Sequence, residues 1–214
     1  MKVVDVTPSS RELMAPVCRD CAWWQHTAGS ARRNRRPSAG GGAELEADRR
    51  LRADWERRAD RAVGLIGKAL VDEDAVLGWM QTAPASLVPR TRGLPAGPPS
   101  ADAWLITCTY FYDEEYLGGF QRLLHELLAD LKHREVAALE AFALCETSLN
   151  DRFRSYLREC NLFNHEMLEG SGFRPVRLFG EVGRYRLDLD TLIAEPRRVR
   201  LVERIEHYTA AQPV

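Results

Sequence analysis

Residues 101–143 set carboxylates, glycines and tyrosines close together: ADAWLITCTYFYDEEYLGGFQRLLHELLADLKHREVAALEAFA. Gly118 and Gly119 stand between a strand-like run and a helix-like one. Such a turn points backbone N–H groups at whatever lies before the helix, which suits a phosphate or an oxyanion. Glu114 and Glu115 close the strand-like run, where a carboxylate can take a proton from an amine. Acidic turns are also ordinary solvated features. Glu140 lies inside a second strand-like run and is a candidate base if buried; a salt-bridged Glu is the competing expectation. Cys18-x-x-Cys21 with His26 is half a zinc site, and a structural zinc needs four ligands. Cys108, Cys145 and Cys160 fall in other elements, so no metal is expected.

The elements that must position these groups follow from periodicity. Trp104 to Phe111 is apolar, β-branched and aromatic over a strand's length. Phe120, Leu123, Leu124, Leu127, Leu128 and Leu131 recur at helical spacing, and Val136 to Ala143 reads as a strand again. Upstream, Lys2 to Val6 reads as a strand, Arg11 to about Trp24 as a helix, and Glu44 to about Asp60 as a charged helix. Residues 27–43 form a Gly-, Ser-, Pro- and Arg-rich flexible loop. Ala62–Val71 and Ala75–Thr82 read as strands joined by a turn at 72–74. The prolines of residues 83–101 predict an irregular loop. Arg152 to Glu169 reads as a helix ended by Gly170-Ser171-Gly172, then Phe173–Phe179 and Gly183–Leu189 as strands. Pro196 to Tyr208 reads as a terminal helix. The pattern predicts an α/β (α+β) fold: a central mixed, mostly antiparallel sheet flanked by helices.

The chain has 214 residues, enough for one substantial core. Its 30 basic and 31 acidic residues nearly balance, so bulk charge names no partner. Residues 31–61 nonetheless hold ten Arg against six Asp or Glu, a local net of +4. Arg32, Arg33, Arg35 and Arg36 form a cluster suited to a phosphate backbone, although such runs are commonly solvated faces. The N-terminus does not read as a signal peptide, and no stretch is long and apolar enough to span a bilayer. Five scattered cysteines do not read as a disulfide framework, so the expected compartment is the cytoplasm.

The order of elements, with a Gly turn after the fourth strand, resembles the GNAT superfamily of N-acyltransferases of actinobacterial type. Leu77-Gly78-Trp79, the Asp102–Tyr112 strand, Ala138-Leu139-Glu140-Ala141-Phe142 and Ser171-Gly172-Phe173-Arg174 carry the likeness. The resemblance implies an acyltransferase domain over residues 1–190 and a C-terminal helical extension over 191–214. It implies acyl-CoA or acetyl-CoA as co-substrate in a cleft between splayed fourth and fifth strands, with direct attack by an amine. The binding positions it implies are Tyr110, Phe111, Tyr112, Gly118, Gly119 and Phe120. It offers Glu115, Glu140, Tyr110 and His165 as catalytic candidates and Trp23 and Trp24 as acceptor-pocket residues. The family's turn reads Gln/Arg-x-x-Gly-x-Gly/Ala, whereas this chain has Glu115-Tyr116-Leu117-Gly118-Gly119-Phe120. Glu115 would repel a pyrophosphate and Phe120 would crowd the backbone. The family's Tyr before Gly172-Phe173 is also missing, with Leu168 near its place.

Three functions are therefore expected to compete. One is acyl transfer from acyl-CoA to a small-molecule or peptide amine. The second is aminoacyl transfer from an aminoacyl-tRNA, with the Arg32–Arg36 cluster on the tRNA. The third is a non-catalytic ligand-binding or regulatory module. No membrane partner is expected, and monomer and homodimer are both open.

Overall fold

The computed structural model describes residues 1–27, 42–73, 75–112, 118–145 and 162–192. Its strands are β1 (Lys2–Val6), β2 (Gly67–Asp72), β3 (Ala75–Pro84), β4 (Ala103–Phe111), β5 (Ala138–Leu144), β6 (Phe163–Asn164), β7 (Arg174–Phe179) and β8 (Val182–Asp188). They form one mixed sheet in the order β1-β2-β3-β4-β5-β8-β7, with β6 added to β5. All neighbours are antiparallel except β4–β5 and β5–β6. The helices are α1 (Pro16–Arg19), α2 (Gly42–Val63), α3 (Gly118–His133) and α4 (His165–Gly170).

Each face of the sheet carries its own apolar cluster. One joins Trp23, Trp24 and Trp55 to Trp79, Leu105 and Phe142. The other joins the leucines of α3 to Leu70, Met80, Ile106, Leu139 and Phe173. The helical spacing of those leucines is thus the docking stripe of α3, and Leu123, Leu127 and Leu131 have no exposed surface. Ionic contacts pin the same helix. Lys68 of β2 reaches Asp5 at 2.5 Å and Asp130 of α3 at 3.0 Å, and Arg134 reaches Asp130 at 3.2 Å.

Several expected elements differ. The helix expected over Arg11–Trp24 is broken into a 3-10 turn at Pro8–Leu13, α1, and a second 3-10 turn at Trp23–Gln25. Met14 and Ala15 take extended ψ values of 144° and 140°, as expected for backbone leading into Pro16. The strand expected from Ala62 begins only at Gly67, because α2 continues to Val63. Of the helix expected over Arg152–Glu169, residues 152–161 lie outside the described residues, Phe163–Asn164 form β6, and only the part from His165 is helical. Asn164 then caps α4, its Oδ1 accepting from the N–H groups of Glu166 at 2.7 Å and Met167 at 3.2 Å. The 83–101 loop holds 3-10 turns at Ala85–Leu87 and Pro89–Gly93. The extension at 191–214 and its helix at 196–208 lie outside the described residues beyond residue 192.

β7 is the outer strand of the sheet, and every one of its residues is exposed, with Leu178 at 59% and Phe179 at 62%. Its pairing with β8 shifts register between Pro175 and Arg177.

Two stability predictions follow from α3. A Cβ at Gly119 would stand 2.8 Å from the Phe111 ring and 2.9 Å from Leu70. Gly119→Ala should therefore cost about 1–3 kcal/mol in urea unfolding, as overpacking does. Burial pushes the Asp130 carboxyl up, but the Lys68 ammonium and the Arg134 guanidinium outweigh this and hold it below its usual value. Its contribution is complete above the unfolded value of about 3.9 and drains as pH falls through the lower folded value. Asp130→Asn should lower stability at neutral pH by about 3 kcal/mol. The gap to the parent protein should narrow below about pH 3.9, read from denaturation midpoints across pH.

Candidate functional site

The cleft begins where β4 and β5 part. They pair in parallel only at Ala103↔Ala138, Trp104↔Leu139 and Leu105↔Glu140. Directly afterwards β4 carries a bulge. Gln81 of β3 opposes Cys108 and Thr82 opposes Ile106, so Thr107 is the extra residue. A bulge bends its strand and increases its twist. Ile106–Phe111 thereby leave β5 while keeping β3. The far edge of β5 is taken throughout by β8. β6 consequently sits on the edge that faces β4, covering Ala143 and Leu144. The open wedge is bounded by the bulged half of β4 on one wall and by Ala141, Phe142 and β6 on the other.

A buried polar chain fixes the bulge. Gln81 donates to the Thr107 hydroxyl at 2.6 Å and accepts from the Arg52 guanidinium of α2. Arg52 Nε donates to Glu56 at 2.9 Å, and the guanidinium lies 4.7 Å from the Trp55 ring centre. Arg52, Glu56, Gln81 and Thr107 are each at most 2% exposed. Sequence reading missed this chain because α2 has the composition of a solvated charged helix. The available signal was Arg52–Glu56 at i,i+4 bracketing Trp55, an aromatic residue that a solvated face does not need.

At the mouth of the wedge stands the N-terminus of α3. Gly118 is exposed, and a Cβ on it would meet nothing within 4 Å. Gly119 is instead a packing position under the Phe111 ring. Phe120 does not crowd this approach: it is 4% exposed, with its ring 6.1 Å from that of Phe163. Its place in the leucine stripe turns it inward, which corrects the crowding expected from the sequence. Glu114 and Glu115 lie outside the described residues, as do Arg32, Arg33, Arg35, Arg36 and Cys160.

The β4 aromatics divide between the faces. Phe111 packs on the α3 side and Tyr110 on the tryptophan side. Tyr112 is half exposed, and its ring meets that of Tyr110 edge-on at 5.2 Å. Burial and the Tyr110 hydroxyl hold the Tyr112 hydroxyl above its usual pKa, so it stays protonated near neutrality. Cys108 is less isolated than the sequence suggests, because Cys18 and Cys21 pack against the same cluster. Burial and those two thiols push the Cys108 thiol well up, away from reactive thiolate. His26 faces Asp48 at 2.8 Å. Among the described residues no group of three or more His, Cys, Asp or Glu is arranged to hold a metal.

Glu140 stands at the vertex of the wedge and has no exposed surface. Arg184 donates to both its oxygens at 2.8 Å, the Ser100 N–H donates at 3.1 Å, and Arg186 lies at 3.5 Å. Its lone pairs are engaged in tying β5 to β8 and to the 96–102 loop, the arrangement of a structural carboxylate. His165 opens α4. Its Nδ1 lies 3.7 Å from Glu169, and its Nε2 is buried without a hydrogen-bond partner among the described residues. Nearby, the Tyr185 hydroxyl lies 3.6 Å from Cys145 Sγ. Burial, Cys145 and Glu169 all push that hydroxyl's pKa strongly upward, so it stays protonated. Tyr185 had no sequence signal beyond an aromatic residue in a strand. The structure thus groups His165, Glu169, Tyr185 and Cys145 at the end of β5. It leaves Tyr110 on the other wall and Trp23 and Trp24 under α2.

Trp23 and Trp24 lie in the short 3-10 turn with Gln25, all three buried. Their rings meet edge-on at 4.6 Å, and Arg90 lies 4.2 Å from the Trp23 ring centre.

No protein-family model matches the chain. No curated protein matches it either. Solved structures do. An aminoglycoside 6'-acetyltransferase type Ii superposes with a TM-score of 0.50 at 12% identity, over 92% of this chain and 100% of that one. The aminoglycoside 6'-N-acetyltransferase from Enterococcus faecium gives 0.48 at 13% identity, over 92% and 100%. A PaiA N-acetyltransferase from Thermoplasma acidophilum in complex with coenzyme A gives 0.45 at 11% identity, over 87% and 98%. The strand order, the parting of β4 from β5 and the 0.50 superposition establish the fold: this chain has the GNAT-like α/β architecture.

Proposed function

We propose that the protein is an N-acyltransferase that moves an acyl group from acyl-CoA onto an amine. The observation that carries this reading is the wedge between β4 and β5, with the exposed Gly118 starting α3. A wedge of this kind exposes strand backbone groups to an extended pantetheine arm. The first N–H groups of α3 lack partners inside the helix and suit the pyrophosphate. An N–H of the bulged β4 segment would face the thioester oxygen, where negative charge develops as the amine attacks. Holding thioester and amine on opposite sides of one sheet supplies most of the remaining acceleration through proximity.

Two proton transfers complete the reaction. The attacking amine gives a proton to water, and the departing thiolate gains one. The α3 and α4 face receives the CoA arm, so His165 is the group assigned to protonate the thiolate. The tryptophan face receives the amine, which passes Tyr110 on its way to the carbonyl. Glu140 holds the vertex of the wedge through its arginines.

The test is turnover of acetyl-CoA with an amine panel, read as released thiol, together with a thermal shift by CoA. Gly118→Glu adds a carboxylate where the pyrophosphate is placed. It should raise KM for acetyl-CoA at least tenfold, while helix-terminus electrostatics leave the melting temperature unchanged or slightly higher. His165→Gln should lower kcat by about 10²–10⁴ with little change in KM. A CoA-indifferent melting temperature and no thiol release with any amine would remove the reading.

A further inference from the structure

Cys18 and Cys21 enclose one tight turn, Cys18-Arg19-Asp20-Cys21. Cys18 lies in α1, and Asp20 keeps right-handed helical backbone beyond it. The Cys21 N–H then donates to the Cys18 carbonyl at 3.4 Å. A turn closed in this way keeps its first and fourth Cα atoms within about 7 Å of each other. Side chains three positions apart around it share one face. A disulfide spans Cα atoms about 4.4–6.8 Å apart. The two residues between the cysteines are clamped. Arg11 donates to the Arg19 carbonyl at 2.8 Å, and Arg49 of α2 donates through two nitrogens to Asp20 at 3.0 Å. The Arg19 side chain ties back to the Met14 carbonyl at 2.9 Å and the Glu12 carbonyl at 2.7 Å. The fold therefore holds the two cysteines at this spacing.

Both thiols are partly exposed, at the edge of the tryptophan cluster. Cys108 of β4 is near enough for both to act on it, but its own thiol stays protonated and is a poor nucleophile. Cys18 also acts on the Tyr112 hydroxyl, so the turn stands beside the β4 wall of the wedge.

We propose that Cys18 and Cys21 are a reversible thiol–disulfide couple that exchanges with low-molecular-weight disulfides of the glutathione type. One cysteine thiolate attacks a sulfur of glutathione disulfide, breaks its S–S bond and releases one glutathione thiolate. The second cysteine thiolate attacks the cysteine sulfur of that mixed disulfide, forms the Cys18–Cys21 bond and releases the other. The two cysteines lose two electrons and two protons, and glutathione disulfide gains them as two thiols. A four-residue ring gains less from chain entropy than a long loop does, so the bond serves exchange rather than architecture. Transient, redox-sensing disulfides are the kind that a reducing compartment tolerates. The couple stands independently of the transfer reading.

The experiment equilibrates the full chain with several ratios of reduced to oxidised glutathione, blocks remaining thiols with iodoacetamide and digests with trypsin. Cleavage after Arg19 falls between the two cysteines. A Cys18–Cys21 bond therefore leaves peptides 12–19 and 20–32 joined as one species, which dithiothreitol splits. The joined species should rise with the oxidised fraction and fall at least tenfold on return to reduced glutathione. Cys18→Ser and Cys21→Ser should each abolish it and leave a glutathione adduct on the remaining cysteine. Cys108→Ser should form it to within about twofold of the parent chain, because Cys108 takes no part in the exchange. The proposal is overturned if the folded parent chain carries only glutathione adducts or unmodified thiols at both positions, or if Cys108 is the partner joined to either. It is equally overturned if the bond forms only in urea. Mapping of the parent chain decides the matter even where a serine variant does not fold.

Discussion

Everything functional here depends on a parallel pairing that stops after three residues. Two strands that stayed hydrogen-bonded along their length would leave no wedge and no exposed strand backbone. The bulge at Thr107 ends the pairing by adding one residue to β4 and none to β3. β4 therefore stays loyal to β3 and turns away from β5. On the other side, Glu140 and its arginines hold β5 to β8 at the same level. The vertex of the wedge is thus fixed from both sides, one by backbone geometry and one by buried charge.

Burying charge is costly, and the molecule does it on both sides of the vertex. Arg52–Glu56 lies under the tryptophan face, and Glu140–Arg184 lies between β5 and β8. Apolar replacements of similar volume are often as stable as buried ion pairs. What such pairs add is directionality. Through Gln81, Arg52 reaches the one residue that must sit out of register, so the position of α2 and the bend of β4 are set together.

The sequence was most legible where one periodicity decided one element. The leucine stripe of α3 and the apolar run of β4 landed as expected because burial enforces both. The same stripe also held the answer for Phe120, which belongs to its buried side. Reading the residue by its place in a turn motif, rather than by helical phase, put it on the wrong surface. Arg52, Glu56 and Gln81 were illegible for the opposite reason. Composition assigns charged residues to solvent, and only a partner 29 positions away shows Arg52 to be internal. The break at Met14–Ala15 was signalled by Pro16, and apolar spacing alone overrode that signal. β6 could not be anticipated, because two residues carry no periodicity.

The exposed outer strand has a consequence for how the molecule behaves in company. A flat edge with Leu178 and Phe179 showing would invite another chain to add a strand and continue the sheet without end. Pro175 offers no N–H to such a neighbour, and the register shift beside it bends the edge out of line. Arg174 and Arg177 place like charges on any two copies that meet there. The apolar side chains are displayed, but the backbone ladder that would make their display dangerous is interrupted in its first residues.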